Sequence, residues 1–149
     1  MNPAQAVSEH LLLASASQTN SATRTANLDT RGAAYASIRM NFASEINTNA
    51  VGPTISLLES DDTVVTNFAT FLSDFERTAE DITTAKQIVY RTDLRGRKRY
   101  LRLSVTTATA TNDNVTMGAV ADLSRKAIEP ASESEQAGDT NSVVVQRGL

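Results

Sequence analysis

The sequence predicts an all-β domain: an antiparallel β-sandwich, jelly-roll-like, with extended N- and C-terminal arms. Three observations lead there. The stretch "AAYASIRMNF" places Ala36, Ile38, Met40 and Phe42 on one side and Tyr35, Ser37, Arg39 and Asn41 on the other, the period-two pattern of a half-buried strand. Thr, Ser, Ala and Asn fill much of the chain, and β-branched Thr suits an extended backbone while its hydroxyl tolerates water. Seven or eight such short segments recur with turn signals at roughly ten-residue spacing, the rhythm of a sandwich. At 149 residues the chain is long enough for one hydrophobic core.

Three regions follow: an N-terminal arm over residues 1–9, the sandwich over 10–128 and an acidic, extended or flexible tail over 129–149. "LLLASAS" starts the first strand and "QTNSATRT" turns it. "RTANLDTRG" gives a short strand with Ala26 and Leu28 on one side, ended by Asp29 and Gly32. After "AAYASIRMNF", Gly52 and Pro53 break the chain. "TISLLES" is a strand with Ile55 and Leu57 inward, and "SDDTVVTNF" is a turn at Asp61-Asp62 leading into a short extended piece. "ATFLSDFERTAEDITTAKQ" fits either a short helix or an irregular loop. Phe71, Phe75 and Ile82 could line one side of a helix, and Ser73 with Glu76 has the capping-box spacing. "QIVYRTDL" and "RYLRLSVTT" are strands joined through a turn at Gly96. "NVTMGAVADLS" is the last sandwich strand, with Val115, Met117, Ala119 and Ala121 inward. The sequence shows no internal repeat.

The tail "EPASESEQAGDTNS" carries four carboxylates and little apolar surface to offset the cost of ordering it. Val143, Val144 and Val145 are its exception. They read either as a frayed end or as a strand donated to a neighbouring subunit.

Much chemistry is disfavoured at this level. With no cysteine there is no disulfide, thiolate catalysis or Cys-ligated metal. The single histidine, His10, has no second His or Cys with which to hold a transition metal. No serine sits in a G-x-S-x-G elbow, and neither glycine-rich phosphate cradle occurs. Asp61, Asp62, Asp74, Glu76, Glu80 and Asp81 could pair for acid–base work, but turn carboxylates bonded to their own backbone are commoner. The expectation is a non-enzymatic protein without cofactor or metal. No targeting pattern precedes Leu11–Leu13, and no run reaches the length of a membrane span, so no membrane partner is expected.

One cluster stands out. Arg95, Arg97, Lys98, Arg99 and Arg102 are five of fourteen Lys and Arg residues in a chain of net charge −3. With Tyr100 among them they could meet phosphates and stack single-stranded bases. Alternation divides them, however. Arg99, Leu101, Leu103 and Val105 fall on one face, Tyr100 and Arg102 on the other, and Arg95, Arg97 and Lys98 belong to the turn. Net acidity argues against direct nucleic-acid binding. The remaining readings are a solvated loop, or arginines pairing with carboxylates at an interface, for instance the acidic tail of another copy. Those five residues and Val143–Val145 are the candidate protein interface.

The order of segments resembles a group of small virion proteins of tailed bacteriophages. The likeness runs over roughly residues 8–125, through "LDTRGAAYASIRMNF", "ISLLESDDTVVTNF", "GRKRYLRLSVTT" and "VTMGAVADL". In that group a "SDDG"-like turn precedes a "K/R-RY-x-R-x-x-V-T" strand, close to Lys98–Thr106. Thr63 stands here where the group has Gly. The resemblance implies a capsid decoration, or cement, protein: a homo-oligomer, commonly a trimer, made in the host cytoplasm. It would bind the major capsid protein on the outside of the head and clamp neighbouring subunits. Head–tail junction or tail roles, and a carbohydrate- or receptor-binding sandwich, are the alternatives.

Overall fold

The computed structural model describes residues 7–19, 21–43, 53–75, 86–107, 114–125 and 142–147. The strands are β1 (Ser8–Thr19), β2 (Thr23–Asp29), β3 (Tyr35–Phe42), β4 (Thr54–Ser60), β5 (Ala69–Phe75), β6 (Lys86–Asp93), β7 (Tyr100–Thr106), β8 (Asn114–Ser124) and β9 (Ser142–Arg147), with a 3-10 turn at Val65–Asn67.

They form two sheets, ordered β1-β8-β3-β6-β9 and β2-β7-β4-β5. β1 pairs with β8, β2 with β7, β3 with β6 and β4 with β5, all antiparallel. The chain therefore pairs as one long hairpin whose successive segments alternate between sheets, which is jelly-roll connectivity. β9 departs from that sense, lying parallel to the free edge of β6.

Alternation sorts the side chains as the sequence predicts. From the first sheet Ala36, Ile38, Met40, Phe42, Ile88, Tyr90, Met117, Ala119 and Ala121 face inward and are buried. From the second, Leu28, Ile55, Leu57, Leu101, Leu103 and Val105 meet them. Val115's side chain lies outside the described residues.

Four expectations need correction. The segment after Ala69 is neither helix nor irregular loop up to Phe75. It is strand β5, because β4 offers it an edge; residues 76–85 lie outside the described residues. The piece after Asp61-Asp62 is not simply extended, since a 3-10 turn intervenes. β1 takes in Ser8 and Glu9, which the sequence places in the arm, because both find register partners on β8. Val143–Val145 pair with Ile88, Val89 and Tyr90 of their own chain rather than with a neighbour's, and the remaining tail residues to 141 lie outside the described residues.

Candidate functional site

The loops β2–β3, β4–β5 and β6–β7 gather at one end of the sandwich, and the basic run lies there. Two of these loops share a local design that the sequence spells as D-x-R-G, at Asp29–Gly32 and again at Asp93–Gly96. Ala33 N–H donates to Thr30 C=O and Arg97 N–H to Leu94 C=O, each at 3.0 Å. Gly32 (φ +81°) and Gly96 (φ +80°) occupy the third turn position. Positive φ at that position defines a type II turn and selects glycine. In both loops the Asp carboxylate accepts the Arg backbone N–H, at 3.1 Å for Arg31 to Asp29 and 2.9 Å for Arg95 to Asp93. Leu94 N–H to Ala34 C=O (2.8 Å) and Thr30 N–H to Arg99 C=O (3.0 Å) stitch these loops together.

The structure brings Arg95, Arg97, Lys98 and Arg99 to this end and gives each a carboxylate of its own chain. Arg95 grips Asp93 through Nε (2.9 Å) and Nη2. Arg99 holds Asp29 in a fork, Nε to Oδ1 at 2.9 Å and Nη2 to Oδ2 at 2.6 Å. Arg97 lies 3.7 Å from Glu59, and Lys98 Nζ 3.3 Å from Asp61. Asp29 and Asp93 are both pulled from 3.8 to about 2, chiefly by the side-chain hydrogen bonds from Arg99 and Arg95. Asp62 is also lowered, by Asn67's amide and the Val64 N–H, which it accepts at 2.8 and 2.9 Å.

Each arginine of the run also lies over an aromatic ring. Arg95 covers Tyr35 at 5.3 Å, Arg97 covers Phe71 at 4.5 Å, Arg99 covers Tyr100 at 4.7 Å and Arg102 covers Phe68 at 4.1 Å. Such stacking contributes little where the guanidinium is in water and more where it is desolvated, as at Arg102. Sequence reasoning missed these rings because Tyr35, Phe68 and Phe71 lie far along the chain from the run. It also missed the twin D-x-R-G turns, whose signal was present. Arg99 lies just before β7 and does not share the strand's inward face, where its charge would meet the core.

Arg102 stands apart. It is 8% exposed, on the outer side of β7, and its Nε donates to Asn27 Oδ1 at 2.7 Å. Among the described residues no carboxylate pairs with it. Val143–Val145 lie on β9 at a sheet edge, paired with Ile88, Val89 and Tyr90 of β6, the strand that leads into the run.

Elsewhere, His10 Nε2 lies 3.0 Å from Ser8 Oγ. No group of His, Cys, Asp or Glu among the described residues is arranged to hold a metal, and no described helix is long and apolar enough to cross a membrane.

No family model and no curated protein matches the chain. Among solved structures it is similar to that of the Gx strain of infectious bursal disease virus, at 12% identity and TM-score 0.27, covering 87% of this chain and 47% of that one. The VP2 subviral particle of infectious bursal disease virus matches at 14% identity and TM-score 0.27, covering 87% and 42%. The chain spans under half the length of either. Likenesses this distant carry no argument about function, and the sandwich rests on the chain's own strand pairing.

Proposed function

We propose that the protein is a non-enzymatic virion structural protein, and specifically a capsid decoration protein that binds major capsid subunits from outside as a homotrimer. The observation that supports this best is the outer edge of β1, which no described strand pairs. Its first four positions, Ser8–Leu11, run in unbroken register with β8 and are exposed, with Leu11 71% exposed beside Val7. Soluble proteins blunt such edges unless something pairs with them. A rigid jelly roll with an edge that presents Val7 and Leu11 suits a clamp, and closed symmetry repeats a modest contact several times. The basic run supports the reading indirectly. Four of its five charges, those of Arg95, Arg97, Lys98 and Arg99, are paired with carboxylates of the same chain, which weakens both a phosphate site and an electrostatic grip on a partner. The resemblance to small phage virion proteins gives the direction, while fold alone does not specify a role.

The test is co-sedimentation of the purified protein with expanded, undecorated capsids. Binding at about micromolar concentration is expected, with Leu11→Lys weakening it about tenfold or more. Absence of the protein from the pellet, or equal binding by Leu11→Lys and parent, refutes the edge-docking role.

A further inference from the structure

The outer face of the β2-β7-β4-β5 sheet carries an ordered set of side chains that the docking role does not use. Thr23 on β2 stands opposite Thr106 on β7, which stands opposite Thr54 on β4. Two residues along, Thr25, Ser104 and Ser56 form a second row. The sequence spells this as hydroxyl–x–hydroxyl on three strands: Thr23-Arg24-Thr25, Thr54-Ile55-Ser56 and Ser104-Val105-Thr106. The intervening Ile55 and Val105 turn into the core. With strands about 4.8 Å apart and a two-residue repeat of about 6.7 Å, the six hydroxyls form a grid. Thr23 and Thr106 already bond each other at 2.8 Å, and every hydroxyl can both donate and accept.

The third row is Asn27, Arg102, Leu58 and Thr70. Arg102 supplies a second, independent observation. Its guanidinium lies over the Phe68 ring, 4.1 Å from the centroid, and is oriented by Asn27. Its terminal nitrogens donate to none of the described residues, and neither is a buried atom left without a partner. A fixed planar fork is the best protein partner for a carboxylate.

The geometry points to a binding face for an acidic glycan, with sugar hydroxyls on the Thr/Ser grid and a sugar carboxylate on Arg102. The chemistry selects this ligand. The grid is uncharged and both donates and accepts, as a polyhydroxyl chain does. Two rows on three strands and a third that reaches Thr70 on a fourth cover at most roughly 200 Å², well short of the ~800 Å² that each side of a standard protein interface buries. An acidic peptide would satisfy Arg102 but leave the grid unmatched. This face is separate from the β1 edge, so capsid co-sedimentation and glycan binding can fail independently.

The test is calorimetric titration of the full chain with oligogalacturonate, alginate and hyaluronan oligosaccharides and the carboxyl-reduced form of each, with polyglutamate as a charge control. At least one acidic sugar should bind saturably below about 1 mM and lose about tenfold on carboxyl reduction. Arg102→Lys, which keeps the charge but not the fork, should lose about tenfold as well, and Thr25→Val with Ser104→Ala should weaken binding several-fold. Circular dichroism should show all variants folded. If none of the acidic sugars binds, if polyglutamate or a reduced sugar binds as well, or if folded Arg102→Lys binds unchanged, the proposal fails.

Discussion

Arg24 offers the sharpest test of how the free side of this sandwich is held. β1 pairs with β8 through two register shifts, between Leu11 and Leu13 and between Leu13 and Ala16. A bulge removes ladder partners from the carbonyls beside it. Arg24, on the edge strand of the other sheet, reaches across to that stretch. Nη2 donates to Ala14 C=O at 2.7 Å, and Nη1 donates to Met117 C=O at 3.1 Å and, more weakly, to Ala16 C=O at 3.4 Å. Two well-formed bonds from a charged, half-buried donor are worth about 2–3 kcal/mol together. Arg24→Met keeps the stem and removes the donors, so urea unfolding should show that loss. The midpoint temperature should fall by about 5–10 °C for a domain of this size. Arg24→Lys retains one bond and should recover about half of the loss. Arg31→Met, at an exposed turn position, is the control and should stay within about 0.5 kcal/mol. If Arg24→Met unfolds no more easily than Arg31→Met, the guanidinium is not what closes the bulged edge.

Three further outcomes follow from the same packing. At Gly118 an added Cβ would lie 3.3 Å from Leu13 O, Ser15 N and Ser15 Cα. Gly118→Ala must therefore push the β1 bulge outward and should cost about 1–3 kcal/mol by thermal melting, while no loss would mean the bulge shifts freely. Leu103, 1% exposed on a central strand, should lose about 2–5 kcal/mol as Leu103→Ala in urea. Asp29 and Asp93 have folded pKa values near 2, depressed from 3.8, so their contribution is present above about pH 4 and disappears as pH falls toward 2. Melting temperature should drop across that window, and Asp29→Asn should flatten the drop; a parent protein equally stable at pH 5 and pH 2 would contradict the pairing.

Strand identity was legible wherever one face is buried, because a single-residue slip would turn Ile38, Met40 and Phe42 to water. β3, β4, β7 and β8 were read with their inward residues correct as far as those side chains are described. The segment at Phe71 misled because its apolar spacing fits a helix as well as a strand, and what decides is an edge on β4 that is remote in sequence. β9 was equally opaque: a Val triplet announces a strand but not whose sheet it joins. At the site the positive residues were obvious and their partners were not. Asp29 lies seventy positions from Arg99, and only the β2–β7 pairing sets Asp29 opposite Tyr100.

That pairing explains why an acidic chain collects positive charge at the mouth of a hydrophobic strand. A jelly roll returns several loops to the same end, and strands β2, β4 and β6 here finish in Asp29, Glu59-Ser60 and Asp93. Those carboxylates arrive by topology, and like charges crowded together would repel. The turn between β6 and β7, like the loop between β2 and β3, joins the two sheets at this end, so cations placed on it neutralise carboxylates from either side. Arg95 serves Asp93, Arg97 serves Glu59 and Arg99 serves Asp29. Exposed pairs of this kind contribute little singly, so the turn's worth lies in register, with each arginine fitting one carboxylate and one ring. Exchanging Arg97 for Glu and Glu59 for Arg together should therefore restore less than parental stability. The swap would return the ion pair but leave Phe71 without the guanidinium that covers it.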